Sequence, residues 1–132
     1  MRVAVIGSRK FPDLDLVSAF VKDLPPGTMV VSGGAPGVDA AAEFAARLAH
    51  LPTLTFRADW DRFGKSAGMR RNADIIANAD KVAAFWDGES KGTLNAINLA
   101  KSNRKPLVIV YPGLQVEEVT YADKGRQLSF FS

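Results

Sequence analysis

The chain has 132 residues, 47% hydrophobic and 23% charged, which suits one soluble domain with a real core. It has no cysteine and a single histidine, His50, which excludes disulfides and thiolate metal sites and makes a zinc site an unsuitable expectation. The formal net charge of +3 is spread along the chain without a block of like charges, enough to assist binding of a phosphate-bearing molecule but too weak to mark a nucleic-acid arm.

No apolar run approaches the roughly 20 residues that span a bilayer, so no membrane partner is expected. The sequence opens on a strand-like run without the pattern of a signal peptide, and a cytoplasmic protein is the expectation. Residues 1–132 read as a single domain.

Arg2 to Ile6 is a β-branched run ending at Gly7, a buried strand. Leu14 to Leu24 has helical spacing and stops at Pro25-Pro26-Gly27. Met29 to Ser32 predicts a second strand, and Val38 to Leu48 an alanine-rich helix able to pack closely on a sheet. Thr53 to Phe56 predicts a third strand, Arg57 to Lys65 is a polar stretch, and Ser66 to Ala79 is helical. Lys81 to Trp86 is a fourth strand, followed by a loop from Asp87 to Gly92. Thr93 to Lys101 is a helix and Pro106 to Tyr111 a fifth strand. Leu114 to Ser132 reads as a hairpin-like tail around Ala122-Asp123-Lys124-Gly125, which either extends the sheet or pairs with another subunit; its apolar residues suit a homo-oligomer.

Short strands, apolar on both faces and alternating with helices, predict an α/β fold with a parallel sheet covered on both sides. Right-handed crossovers favour a Rossmann-like, doubly wound, five-stranded sheet ordered 3-2-1-4-5. In such a sheet ligands lie beyond the carboxyl ends of the strands, where three glycine-containing loops converge.

The first of these loops is Gly7-Ser8-Arg9-Lys10. The second runs through Gly33, Gly34, Ala35, Gly37, Val38 and Asp39, straight into a helix. Its backbone N–H groups at a helix start are expected to hold a phosphate. The third contains Asp87, Gly88, Glu89, Ser90, Lys91, Gly92 and Thr93. Around them stand Trp60, able to stack on a base, and Arg71 and Asn72 on the third long helix. Neither the dinucleotide fingerprint G-x-G-x-x-G nor the P-loop pattern is present, which disfavours an ordinary NAD dehydrogenase or NTPase. No metal or required cofactor is expected.

Gly7-Ser8-Arg9, Ser32 to Asp39, Trp60, Gly64, Ala67-Gly68, Arg71-Asn72 and Phe85 to Thr93 together resemble the SLOG superfamily. That Rossmann-like group joins the DNA-processing protein A family with the LONELY GUY phosphoribohydrolases, and the match is to its small stand-alone bacterial and phage proteins. The resemblance covers roughly residues 1 to 111 and implies a nucleotide or nucleotide-derived ligand. In the phosphoribohydrolases a helix arginine and a glutamate after a glycine–threonine pair serve catalysis. The arginine falls on Arg71, whereas the glutamate position is Ala96. Cleavage of a nucleoside 5′-monophosphate would therefore rest on Arg71 with Asp87 or Glu89 as the carboxylate. The first expectation is a nucleotide-binding sensor or carrier, the second such a hydrolase, and the third a single-stranded DNA binder.

Overall fold

A computed structural model of the chain describes residues 1–131. β1 (Arg2–Gly7) is flanked in parallel by β2 (Met29–Ser32) and β4 (Lys81–Phe85). β3 (Thr53–Thr55) pairs outside β2 and β5 (Leu107–Tyr111) outside β4, both parallel. β6 (Gln115–Val119) closes the far edge antiparallel to β5, giving a six-stranded sheet of order β3-β2-β1-β4-β5-β6. The expected order of the parallel strands is the observed one.

Alternation along the strands divides the core in two. Val3, Val5, Val30, Phe85 and Val108 face α1 (Leu14–Lys22) and α2 (Val38–Leu48). Ala4, Ile6, Val31, Val82 and Ile109 face α4 (Ala67–Ala77) and α5 (Lys91–Ser102). Alanines 42, 45 and 46 are fully buried on α2, so that helix lies close to the strands beneath it. Among the described residues no helix is long and apolar enough to cross a membrane.

Three segments differ from the expectation. The polar stretch contains a one-turn helix, α3 (Trp60–Phe63), and a 3-10 turn, Gly64–Ser66. Asp59 caps α3 by accepting from the Arg62 N–H at 3.1 Å. α5 starts at Lys91 rather than Thr93, because Ser90 is its N-cap and accepts from the Thr93 N–H at 3.3 Å.

The tail is split. Its first part extends the sheet as β6, while β7 (Tyr121–Asp123) and β8 (Arg126–Leu128) form a separate hairpin. Lys124 and Gly125 make the two-residue turn with φ of 52° and 79°, the left-handed backbone such a hairpin needs. Beyond it Phe130 is buried against Phe20, with ring centroids 5.8 Å apart. Ser132, the last residue of the expected tail, lies outside the described residues.

The carboxyl end of β1 is tightly packed. A Cβ at Gly7 would lie 2.4 Å from the Phe85 carbonyl oxygen and 2.7 Å from Val38 Cγ2. Only glycine lets β1, β4 and the start of α2 meet this closely, and that meeting brings the three loops together.

Candidate functional site

An open cleft of about 610 Å³ lies beyond the carboxyl ends of the central strands. Its lining takes Gly7, Arg9 and Lys10 from the first loop and Ala35 and Asp39 from the second. Trp60, Lys65, Arg71 and Asn72 contribute from α3, the 3-10 turn and α4. Asp87, Glu89, Ser90, Lys91, Gly92 and Thr93 complete it from the third loop and the start of α5. Twelve of the residues expected at a ligand site from their sequence, together with Glu89, thus share one cleft.

Six do not face it: Ser8, Gly33, Gly34, Gly37, Val38 and Gly88 stand outside the lining. Val38 is buried against Gly7. Ser8 is buried as well, its hydroxyl accepting from the Asp87 N–H at 3.2 Å and lying 3.4 Å from Thr93 Oγ1. It ties the first loop to the third. A Cβ at Gly37 would meet the Arg9 carbonyl oxygen at 2.6 Å, so that glycine serves loop packing.

The amides of the second loop depart most from expectation. The Ala35 N–H donates to Asp39 Oδ2 at 3.3 Å, and the Gly33 N–H also points to this carboxylate. The Gly34 N–H donates to Ser32 Oγ at 3.2 Å. The chain's own side chains thus take the place expected for a phosphate on the Gly34 and Ala35 N–H groups. Asp39 is 5% exposed, and burial pushes its carboxyl up to about 6 against the lowering effect of those amides and of Arg71.

The third loop repeats the device. Asp87 Oδ1 accepts from the Glu89 and Ser90 N–H groups at 2.9 and 2.8 Å. These bonds hold its carboxyl below the usual aspartate range. Its ionised form is thereby favoured. Glu89 stays exposed on the rim, and Ala96 lines the cleft where the phosphoribohydrolases carry their glutamate.

Arg71 and Asn72 act first as a brace. Arg71 Nη1 donates to the Gly33 carbonyl at 2.7 Å and Nε to Asn72 Oδ1 at 3.0 Å. Asn72 Nδ2 in turn donates to the Gly92 carbonyl at 3.1 Å and to Asn95 Oδ1 at 3.0 Å. One pair of adjacent residues on α4 therefore ties the second loop to the third. Gly33 makes room for it, since a Cβ there would lie 2.5 Å from Arg71 Nη1 and 2.9 Å from Asp39 Oδ2.

The cleft still presents more positive than negative charge: Arg9, Lys10, Lys65, Arg71 and Lys91 against Asp39, Asp87 and Glu89. Burial, then the neighbouring Arg9 charge, lower the Arg71 pKa from the usual arginine value, while Asp39 opposes both. An anion between the two guanidinium groups would relieve their mutual repulsion. Sequence reasoning did not assign Lys10 and Lys65 to the ligand site. Their signal was the basic residue directly after a strand-end glycine loop and directly before a helix start.

Comparison with known proteins fits this architecture. The profile described as "YAcAr: YspA, cpYpsA-related SLOG family" matches residues 1–63. The Gene 61 protein of Mycobacterium phage D29 is 35% identical over 117 residues, which cover 81% of this chain and 94% of that protein. The chain belongs to the SLOG superfamily. Among solved structures it is similar to the DNA processing protein A of Helicobacter pylori, described for its single-stranded DNA binding mode. That match has a TM-score of 0.70 and 24% identity over 83% of this chain. DNA processing protein A of Streptococcus pneumoniae matches with a TM-score of 0.72 and 22% identity over 85% of this chain. The chain spans 65% and 50% of the length of those two structures, and the likeness shows a shared fold.

Proposed function

We propose that the cleft binds single-stranded nucleic acid through its sugar–phosphate backbone. The observation that carries this reading is the pairing of the Gly34, Ala35, Glu89 and Ser90 N–H groups with Ser32, Asp39 and Asp87, which leaves the side-chain cations as the strongest anion-seeking groups of the cleft. A terminal phosphate monoester is best held by a nest of free N–H groups at a helix start. A diester strand needs only an open trough with mobile cations along it, and Arg9, Lys10, Lys65 and Lys91 are exposed at such a trough. The single-stranded DNA binding of the Helicobacter relative supports the same reading. No chemistry is required of the site.

Binding of a mononucleotide, as sensor or carrier, is the second reading. It is favoured by the cleft volume of about 610 Å³, the size of a small-molecule site. Fluorescence anisotropy of a labelled oligothymidylate, competed with nucleoside monophosphates and repeated across salt concentrations, separates the two. The strand reading expects affinity to fall with log salt at about −0.7 per phosphate contacted, with weak competition by monophosphates. No strand binding, or affinity indifferent to salt, overturns it. Tight monophosphate binding selects the second reading.

A further inference from the structure

We propose that Trp60 is a base-stacking platform in this cleft and that Gly68 sets its position; the inference rests on the nucleic-acid reading above. The chain has two tryptophans, and the structure uses them differently. Trp86 is half-buried, packs on Tyr111 with ring centroids 5.9 Å apart, and spends its indole N–H on the Ser90 carbonyl at 3.0 Å. Trp60 lines the cleft and is 53% exposed. An indole is among the largest apolar groups a chain can bury, so one held half-open at a cationic cleft offers a face to a flat apolar partner.

The backbone beneath it is fixed rather than loose. Trp60 opens α3, which Asp59 caps, and the following turn is closed by Ser66 Oγ donating to the Phe63 carbonyl at 2.9 Å. The outer edge of the ring lies over the first turn of α4. A Cβ at Gly68 would sit 3.4 Å from Trp60 Cη2, an ordinary contact, but any longer side chain would compete for the space of the ring. A residue no larger than alanine at this position therefore leaves room for the indole.

Lys65, between Trp60 and Gly68 in sequence, places a cation on the same cleft wall, so a base on the ring and its phosphate have adjacent partners. The platform offers a π-face and no hydrogen-bond pattern. It therefore accepts any base, and the class of ligand is a single strand read without regard to sequence.

The test uses the full chain with Trp86→Phe, which leaves Trp60 as the only indole. Titration with an oligothymidylate of about a dozen nucleotides is expected to quench its emission with the same midpoint as anisotropy of the labelled strand. Trp60→Ala is expected to weaken strand affinity about 5- to 100-fold with the salt slope unchanged, and Trp60→Phe to recover most of it. Gly68→Leu should mimic Trp60→Ala, whereas Gly68→Ala should not. An abasic strand of equal length should bind the wild type and Trp60→Ala equally. Salt-dependent binding that ignores Trp60→Ala, Gly68→Leu and the abasic change overturns the platform and leaves the cleft reading standing. No strand binding by the wild type overturns both. Should circular dichroism show Trp60→Ala unfolded, Gly68→Leu and the abasic strand decide.

Discussion

Arg71 on α4 reaches the carbonyl of Gly33 at the end of β2, with Nη1 and the oxygen 2.7 Å apart. Through Asn72 the same helix turn holds the Gly92 carbonyl at the head of α5. The two glycine loops that shape the cleft are thus pinned by adjacent side chains.

Removing that pin affects stability as well as binding. Arg71→Ala deletes two charge-assisted bonds and a positive partner of Asp39. We expect a loss of about 2–4 kcal/mol in urea unfolding, on the scale of hydrogen bonds to charged groups. Asn72→Ala should lose about 1–2 kcal/mol. A variant of normal stability would show that the loops hold their shape without the brace.

The Asp39 carboxyl makes stability depend on pH. Its folded value of about 6 stands above the ordinary 3.8, so the folded chain retains a proton there that the unfolded chain has released. The stability this group contributes is full below about pH 4 and is lost as pH rises through 6, a change on the order of 3 kcal/mol. Asp39→Asn should flatten the urea-unfolding free energy between pH 4 and 6 relative to the wild type. An unaltered pH profile would contradict the assignment.

Strand binding should respond to single cations at the rim. Lys91→Ala and Lys65→Ala are each expected to lower affinity across all sequences alike and to reduce the magnitude of the salt slope by about 0.7. Both side chains are exposed, so thermal unfolding should hardly change. Slopes equal to the wild type would place the phosphates elsewhere.

Gly7→Ala tests the close meeting of β1, β4 and α2. Its Cβ would collide with the Phe85 carbonyl and Val38, and we expect a loss of about 1–3 kcal/mol, the usual cost of overpacking. Ser90→Ala removes the α5 cap and should cost about 1 kcal/mol. Chemical denaturation measures both.

The sheet was legible in the sequence because β2 and β5 are short apolar runs set between glycine or proline residues and β1 is one that runs into Gly7, a local pattern that needs no long-range information. The convergence of three loops followed from topology. The turn of α3 was hidden because four residues cannot display a helical period. The fate of the loop amides was hidden for another reason. The sequence puts Asp39 at a helix start and Asp87 in a loop, both at the ligand site, and only the folded backbone turns their carboxylates onto the neighbouring N–H groups. The split of the tail depended on Phe130 finding Phe20, more than a hundred residues away along the chain.

Met1 and Phe131 both line a second groove, at the opposite rim of the sheet from the cleft, where β1 and β4 begin. A fluorophore carried at Met1 or Phe131 would therefore report from the far side of the sheet, away from the trough. Gripped through that groove, the molecule would present its cationic mouth outward.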